Sequence, residues 1–175
     1  MKIAVCGSSS ITDKEIAKRA FEIGKEIAEN NILLLTGAGE GYPYEAVKGA
    51  SSVDGKVFGV SPAKDEKEHI NKYSFPREGF AEIKYTDLGI PRRNFPLVKE
   101  ADAIIIISGK IGSLNEFTIA FHYDKVIGIL KNSGGITNII EQIAEICNKR
   151  GEKENIIYSE DPKELVQLVI TKLNQ

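Results

Sequence analysis

Asp102-Ala103-Ile104-Ile105-Ile106-Ile107-Ser108-Gly109-Lys110-Ile111-Gly112-Ser113 sets four consecutive isoleucines ahead of a glycine-bearing turn and a helix-like run to about Tyr123. An unbroken β-branched run without polar alternation fits a strand covered on both faces, the usual situation in a parallel sheet flanked by helices. The same strand, turn and helix order occurs upstream, where Ile32–Thr36 leads into Thr36-Gly37-Ala38-Gly39-Glu40-Gly41 and then Tyr44–Ala50. Working outward, Lys2–Cys6, Lys56–Val60, Phe80–Thr86, Lys125–Leu130 and Asn155–Tyr158 read as further strands. Asp13–Asn30, Pro91–Ala101, Ile136–Lys149 and the segment after Asp161 read as helices. This alternation predicts an α/β fold: a Rossmann-like, doubly wound parallel sheet with helices on both faces, in a single domain over residues 1–175.

Local signals sharpen the boundaries. Thr12 with Glu15 predicts a capping box, and Asp161, Pro162 and Glu164 predict an N-cap, a first-position proline and an acidic third residue. Pro96 predicts a kink within its helix. Ser61–Gly79, polar and interrupted by Pro62 and Pro76, reads as a long irregular loop and a candidate lid. Its Tyr73 and Phe75, with Phe80, either cover a ligand's base or pack the loop, the latter being the plainer reading.

The chain has 175 residues, 42% hydrophobic and 27% charged, and a net charge of -2 that gives no general attraction for nucleic acid or anionic membrane. Any anion site must therefore be local. The two cysteines, Cys6 and Cys147, form no C-x-x-C pattern, and His69 and His122 show no ligand spacing, so neither a metal nor another cofactor is expected. No apolar run is long enough for a membrane span or a signal peptide, and a cytoplasmic location is expected.

In an open parallel sheet, ligands bind beyond the carboxyl ends of the strands, where helix N-termini present free N–H groups. Both glycine turns fall at such ends. Either alone is equally well read as a tight strand-to-helix turn; together they point to a phosphate-bearing ligand. Lys110 stands between the two glycines of its turn rather than before a Ser/Thr, which disfavours a P-loop, and Tyr42 stands where a dinucleotide fingerprint needs glycine. Gly7-Ser8-Ser9-Ser10, after the first strand, is read either as a ligand contact or as a cap and turn.

These motifs resemble those of the LOG-type, Rossmann-like nucleotide-binding family, which includes cytokinin-activating phosphoribohydrolases, proteins labelled possible lysine decarboxylase, and molybdenum cofactor carriers. Its motif Pro-Gly-Gly-x-Gly-Thr-x-x-Glu overlays Ser108 to Glu116: Gly109, Gly112 and Glu116 match, Ser113 replaces threonine, and Ser108 and Lys110 depart. Gly37 through Gly49-Ala50 overlays the first motif, and Arg93-Asn94 lies closest to the carrier branch. The resemblance implies a catalytic pair, Arg93 and Glu116, and a phosphate or nucleotide cradle of Gly7, Ser8, Gly37, Ala38, Gly39, Gly41, Asn94, Gly109, Lys110, Gly112 and Ser113.

It also implies a homodimer, with the helix bearing Phe117, Ile119, Phe121 and Tyr123 as a candidate interface. Two functions stay open. One is hydrolysis of the N-glycosidic bond of a nucleoside 5′-monophosphate. The other, favoured by Lys110 and Glu40, is non-catalytic carriage or sensing of a phosphorylated ligand. DNA handling, a third class, lacks the basic, aromatic-lined groove it needs.

Overall fold

In the computed structural model, which describes residues 1–148 and 151–175, the strands form one parallel sheet. The elements in chain order are β1 (Lys2–Gly7), α1 (Lys14–Glu29), β2 (Leu33–Thr36), α2 (Tyr42–Ser51), β3 (Val57–Ser61), α3 (Glu66–Asn71) and β4 (Glu82–Tyr85). They continue with α4 (Gly89–Glu100), β5 (Ala103–Ile107), α5 (Ile111–His122), β6 (Val126–Leu130), α6 (Ile140–Cys147), β7 (Ile156–Ser159) and α7 (Pro162–Leu173). The seven strands lie in the order β4-β3-β2-β1-β5-β6-β7. Chain direction across the sheet therefore reverses between β1 and β5, the topological switch point of such folds.

The isoleucine run does what its composition requires. Every residue of β5 is buried; Ala103, Ile105 and Ile107 face the core under α1, α2 and α7, while Ile104 and Ile106 face the core under α4, α5 and α6. Both faces are thus covered, which removes any need for polar alternation. Asp161 caps α7 by accepting the Glu164 N–H at 2.8 Å, with Pro162 at the first position, and α4 runs through Pro96. Among the described residues no helix is long and apolar enough to cross a membrane.

Three local expectations need correction. The cap of α1 is Asp13, not Thr12: Asp13 is extended and its carboxylate accepts the N–H groups of Glu15 and Ile16 at 2.8 and 3.3 Å. Thr12 and Asp13 instead donate their own N–H groups to the hydroxyl of the buried Tyr42. The predicted loop 61–79 contains α3, capped by Asp65 on the Glu68 N–H at 2.8 Å, a spacing the sequence carries in plain view. The predicted helix Ile136–Lys149 is a 3-10 turn, Gly135–Asn138, followed by α6. The Ile136 N–H is diverted to the Gly109 carbonyl at 3.0 Å, which pins that turn to the second glycine turn; the expected end at Lys149 lies outside the described residues.

Candidate functional site

Beyond the carboxyl ends of β2, β1 and β5 lies a cavity of about 330 Å³. The end of β1 and the Ser8–Ser10 loop line its middle, Gly37, Gly39 and Glu40 one wall, Arg93 and Asn94 of α4 another, and Lys110 to Ser113 with Glu116 the α5 side. Phe75, from the segment after α3, closes the β2 end.

Arg93 and Asn94 belong to the buried face of α4, and Glu116 to that of α5. The helix pair brings Arg93 Nη1 to 3.4 Å from Glu116 Oε1, with both side chains 9% exposed. A Cβ at Gly37 would lie 2.4 Å from Arg93 Nη1, so only glycine lets the guanidinium lie against the first turn. Arg93 thereby reaches from the first glycine turn to Glu116 of α5. Its Nε is buried and, among the described residues, has no hydrogen-bond partner.

Burial raises the Glu116 pKa above the ordinary glutamate value, and the Arg93 charge together with hydrogen bonding from Cys6 and Arg93 only partly offsets this. Burial, reinforced by the charge of Glu116, also pushes the Cys6 thiol well up, so at neutral pH it is a protonated neighbour rather than a thiolate nucleophile. Asn94 Nδ2 donates to Asn115 Oδ1 at 2.9 Å, which ties α4 to the start of α5.

The two helix starts differ. In α5 the N–H groups of Ile111, Gly112 and Ser113 have no intrahelical acceptor and, among the described residues, find none in the surrounding backbone. In α2 the Tyr42 N–H is taken by the Ser8 carbonyl at 3.0 Å, and Pro43 has no N–H to offer. Only the α5 start is therefore open to an anion in the way expected of both. A Cβ at Gly112 would meet nothing within 4 Å among the described residues, so no neighbouring protein atom there explains that glycine, whereas an entering ligand would.

The motif departures also have reasons. Ser108 adopts φ 56° and donates its N–H to Ser133 Oγ at 2.8 Å; proline can do neither. Lys110 has φ -129°, which any residue accepts, and its exposed side chain stands at the cavity rim.

Most of the expected site residues meet here: Gly7, Ser8, Gly37, Gly39, Arg93, Asn94, Lys110, Gly112, Ser113 and Glu116 all line the cavity. Ala38, Gly41 and Gly109 do not. Ala38 is buried and gives its N–H to Thr36 Oγ1, Gly41 packs on the Ser8–Ser9 backbone, and Gly109 lies beneath Ser113; all three shape the turns from behind. Pro43 and Ile90, in the first turns of α2 and α4, also line the cavity; nothing in the local sequence marks an apolar residue there as facing a ligand.

The sequence pattern of the SLOG cluster4 family matches residues 1–166, every residue of this cavity included. The chain belongs to the SLOG cluster4 family. An uncharacterised protein of Archaeoglobus fulgidus is 33% identical over 132 residues, 75% of this chain and 80% of that protein. A probable cytokinin riboside 5′-monophosphate phosphoribohydrolase of Oryza sativa subsp. japonica is 28% identical over 177 residues, 93% of this chain and 67% of that protein. In fold, the chain is similar to the solved structure of a molybdenum cofactor binding protein from Rippkaea orientalis, with TM-score 0.81, 23% identity and coverage of 97% of this chain and 95% of that one. The SLOG assignment and these relatives agree with the resemblance to LOG-type proteins drawn from the two motifs.

Proposed function

We propose that the protein binds a nucleoside 5′-monophosphate in this cavity and hydrolyses its N-glycosidic bond. The observation that carries the reading is the buried Arg93–Glu116 pair, 3.4 Å apart, beside a cavity that the open α5 N-terminus also faces. The phosphate sits at the N–H groups of Ile111 to Ser113, with Lys110 adding charge at the rim. As the C1′–N bond breaks, its electron pair leaves with the base and positive charge develops on the ribose; the Glu116 carboxylate stabilises that charge and takes a proton from the attacking water. The products are the free base, which receives a proton, and ribose 5-phosphate. The Arg93 guanidinium at the cavity wall supplies a donor for a ribose hydroxyl or phosphate oxygen and holds the sugar against the carboxylate.

The test is incubation with a panel of nucleoside monophosphates, including N6-modified adenosine monophosphate, followed by chromatography for free base. Release is expected from at least one, with Glu116→Gln abolishing release while binding persists. Binding without release from any of them refutes hydrolysis and supports the second reading, non-catalytic carriage or sensing of a phosphorylated ligand. Glu40 and Lys110, both lining the cavity and both departures from the LOG-type motifs, favour that reading. Either function suits a cytoplasmic protein acting as a homodimer, with no role for nucleic acid or membrane.

A further inference from the structure

The end of the cavity farthest from α5 has a chemistry of its own. Phe75 is half-buried there, its ring centroid 5.6 Å from that of His69 at 77° and 5.4 Å from that of Tyr73. His69 is fully buried, and its Nε2 lies 3.0 Å from the Pro76 carbonyl, which can only accept. Nε2 is therefore the donor, and Nδ1 accepts from Ser61 Oγ at 2.9 Å. With both nitrogens satisfied the imidazole is fixed, and it fixes Phe75 in turn. A Cβ at Gly39 would lie 3.2 Å from Phe75 Cζ, so the ring stands against the first glycine turn, inside the cavity wall.

The next residue along, Glu40, is exposed into the same cavity, and no cation pairs with it among the described residues. The strand order β2-β1-β5 sets this end about two strand spacings, ~10 Å, from the α5 N-terminus. The cavity is thus polarised, with backbone donors and Lys110 at one end and an aromatic ring with a carboxylate at the other.

We propose that Phe75 and Glu40 form a heterocycle subsite, which selects phosphorylated ligands whose ring presents two adjacent N–H donors. Phe75 offers a stacking surface, and the two oxygens of Glu40 match a ring N–H and the adjacent 2-amino group, an edge shared by guanine and pterins. Adenine and hypoxanthine lack one donor of that pair. This inference rests on the proposed binding of a phosphorylated ligand in the same cavity and names what the ligand's other end must be.

Calorimetric titration of the intact protein with GMP, IMP, AMP, dihydroneopterin monophosphate and ribose 5-phosphate tests it. GMP or the pterin is expected to bind about tenfold or more tighter than IMP and AMP, the worth of one hydrogen bond to a charged acceptor. Whichever of the two binds better identifies the ring. Glu40→Gln is expected to collapse that ratio towards one, and Phe75→Leu to weaken all ring-bearing ligands while leaving ribose 5-phosphate unchanged, which also reports that the variant folds. Equal affinities in the unaltered protein, or variants without these effects, overturn the subsite while leaving the phosphate site standing. Binding of ribose 5-phosphate alone does the same. Failure of every ligand to bind overturns the proposed function and this inference together.

Discussion

Glu116 concentrates the chemistry of the cavity in one ionisation. Its folded pKa is raised above the ordinary value of 4.5, chiefly by burial, so its ionisation opposes folding. The stability associated with this group is fully present below pH 4.5 and is lost as pH rises through the raised folded value. Glu116→Gln removes that titration. Urea unfolding across a pH series should therefore show the stability of the Gln variant, relative to the unaltered protein, increasing from about pH 4.5 upward until the raised value is passed; a constant difference contradicts the assignment. The same shift moves the acid limb of any carboxylate-dependent turnover to higher pH than an exposed glutamate gives.

The start of α5 is the element on which binding turns. Its first amides are unsatisfied, Asn94 anchors it to α4, and Gly112 leaves room in front of it. Gly112→Ala places a methyl group in that space without touching protein, so stability should hold or rise by up to about 1 kcal/mol from helix propensity. Affinity for ribose 5-phosphate, measured by calorimetry, should fall about tenfold, a loss of about 1.4 kcal/mol. Unchanged affinity would mean that the anion does not approach this turn. The contrast with α2 is instructive, because Tyr42 and Pro43 leave that helix no comparable amides.

The whole molecule leaves one helical layer incompletely covered. Phe117 and Phe121 of α5 are buried in the protein's own core, but Phe95 of α4 and Tyr123 at the end of α5 remain exposed, their ring centroids 6.0 Å apart. Adjacent exposed aromatic rings on paired helices suit a docking surface for a second copy. Light scattering should give twice the chain mass of 19.2 kDa, and Phe95→Asp with Tyr123→Asp should return the monomer mass. A monomer from the unaltered protein sinks the dimer.

By itself the sequence determined the parallel, doubly wound sheet, because Ile104 to Ile107 can be buried only if both faces are covered. The resemblance it carries also singled out Arg93 and Glu116, and its local motifs the turns around Gly37 and Gly112, residues that line one cavity. It placed the α1 cap at Thr12 rather than Asp13, because the choice depends on Tyr42, 30 residues from Thr12, whose hydroxyl takes the Thr12 and Asp13 N–H groups. Only the tertiary structure decided which glycine turn keeps its helix amides free, since Ser8, from another strand end, occupies the Tyr42 N–H. Only it set Phe75 against Gly39 in the cavity that Glu40 also lines, because the contacts that fix that ring run through His69 to Ser61 at the end of β3. Such contacts form between segments far apart in the chain, and neither periodicity nor spacing records them.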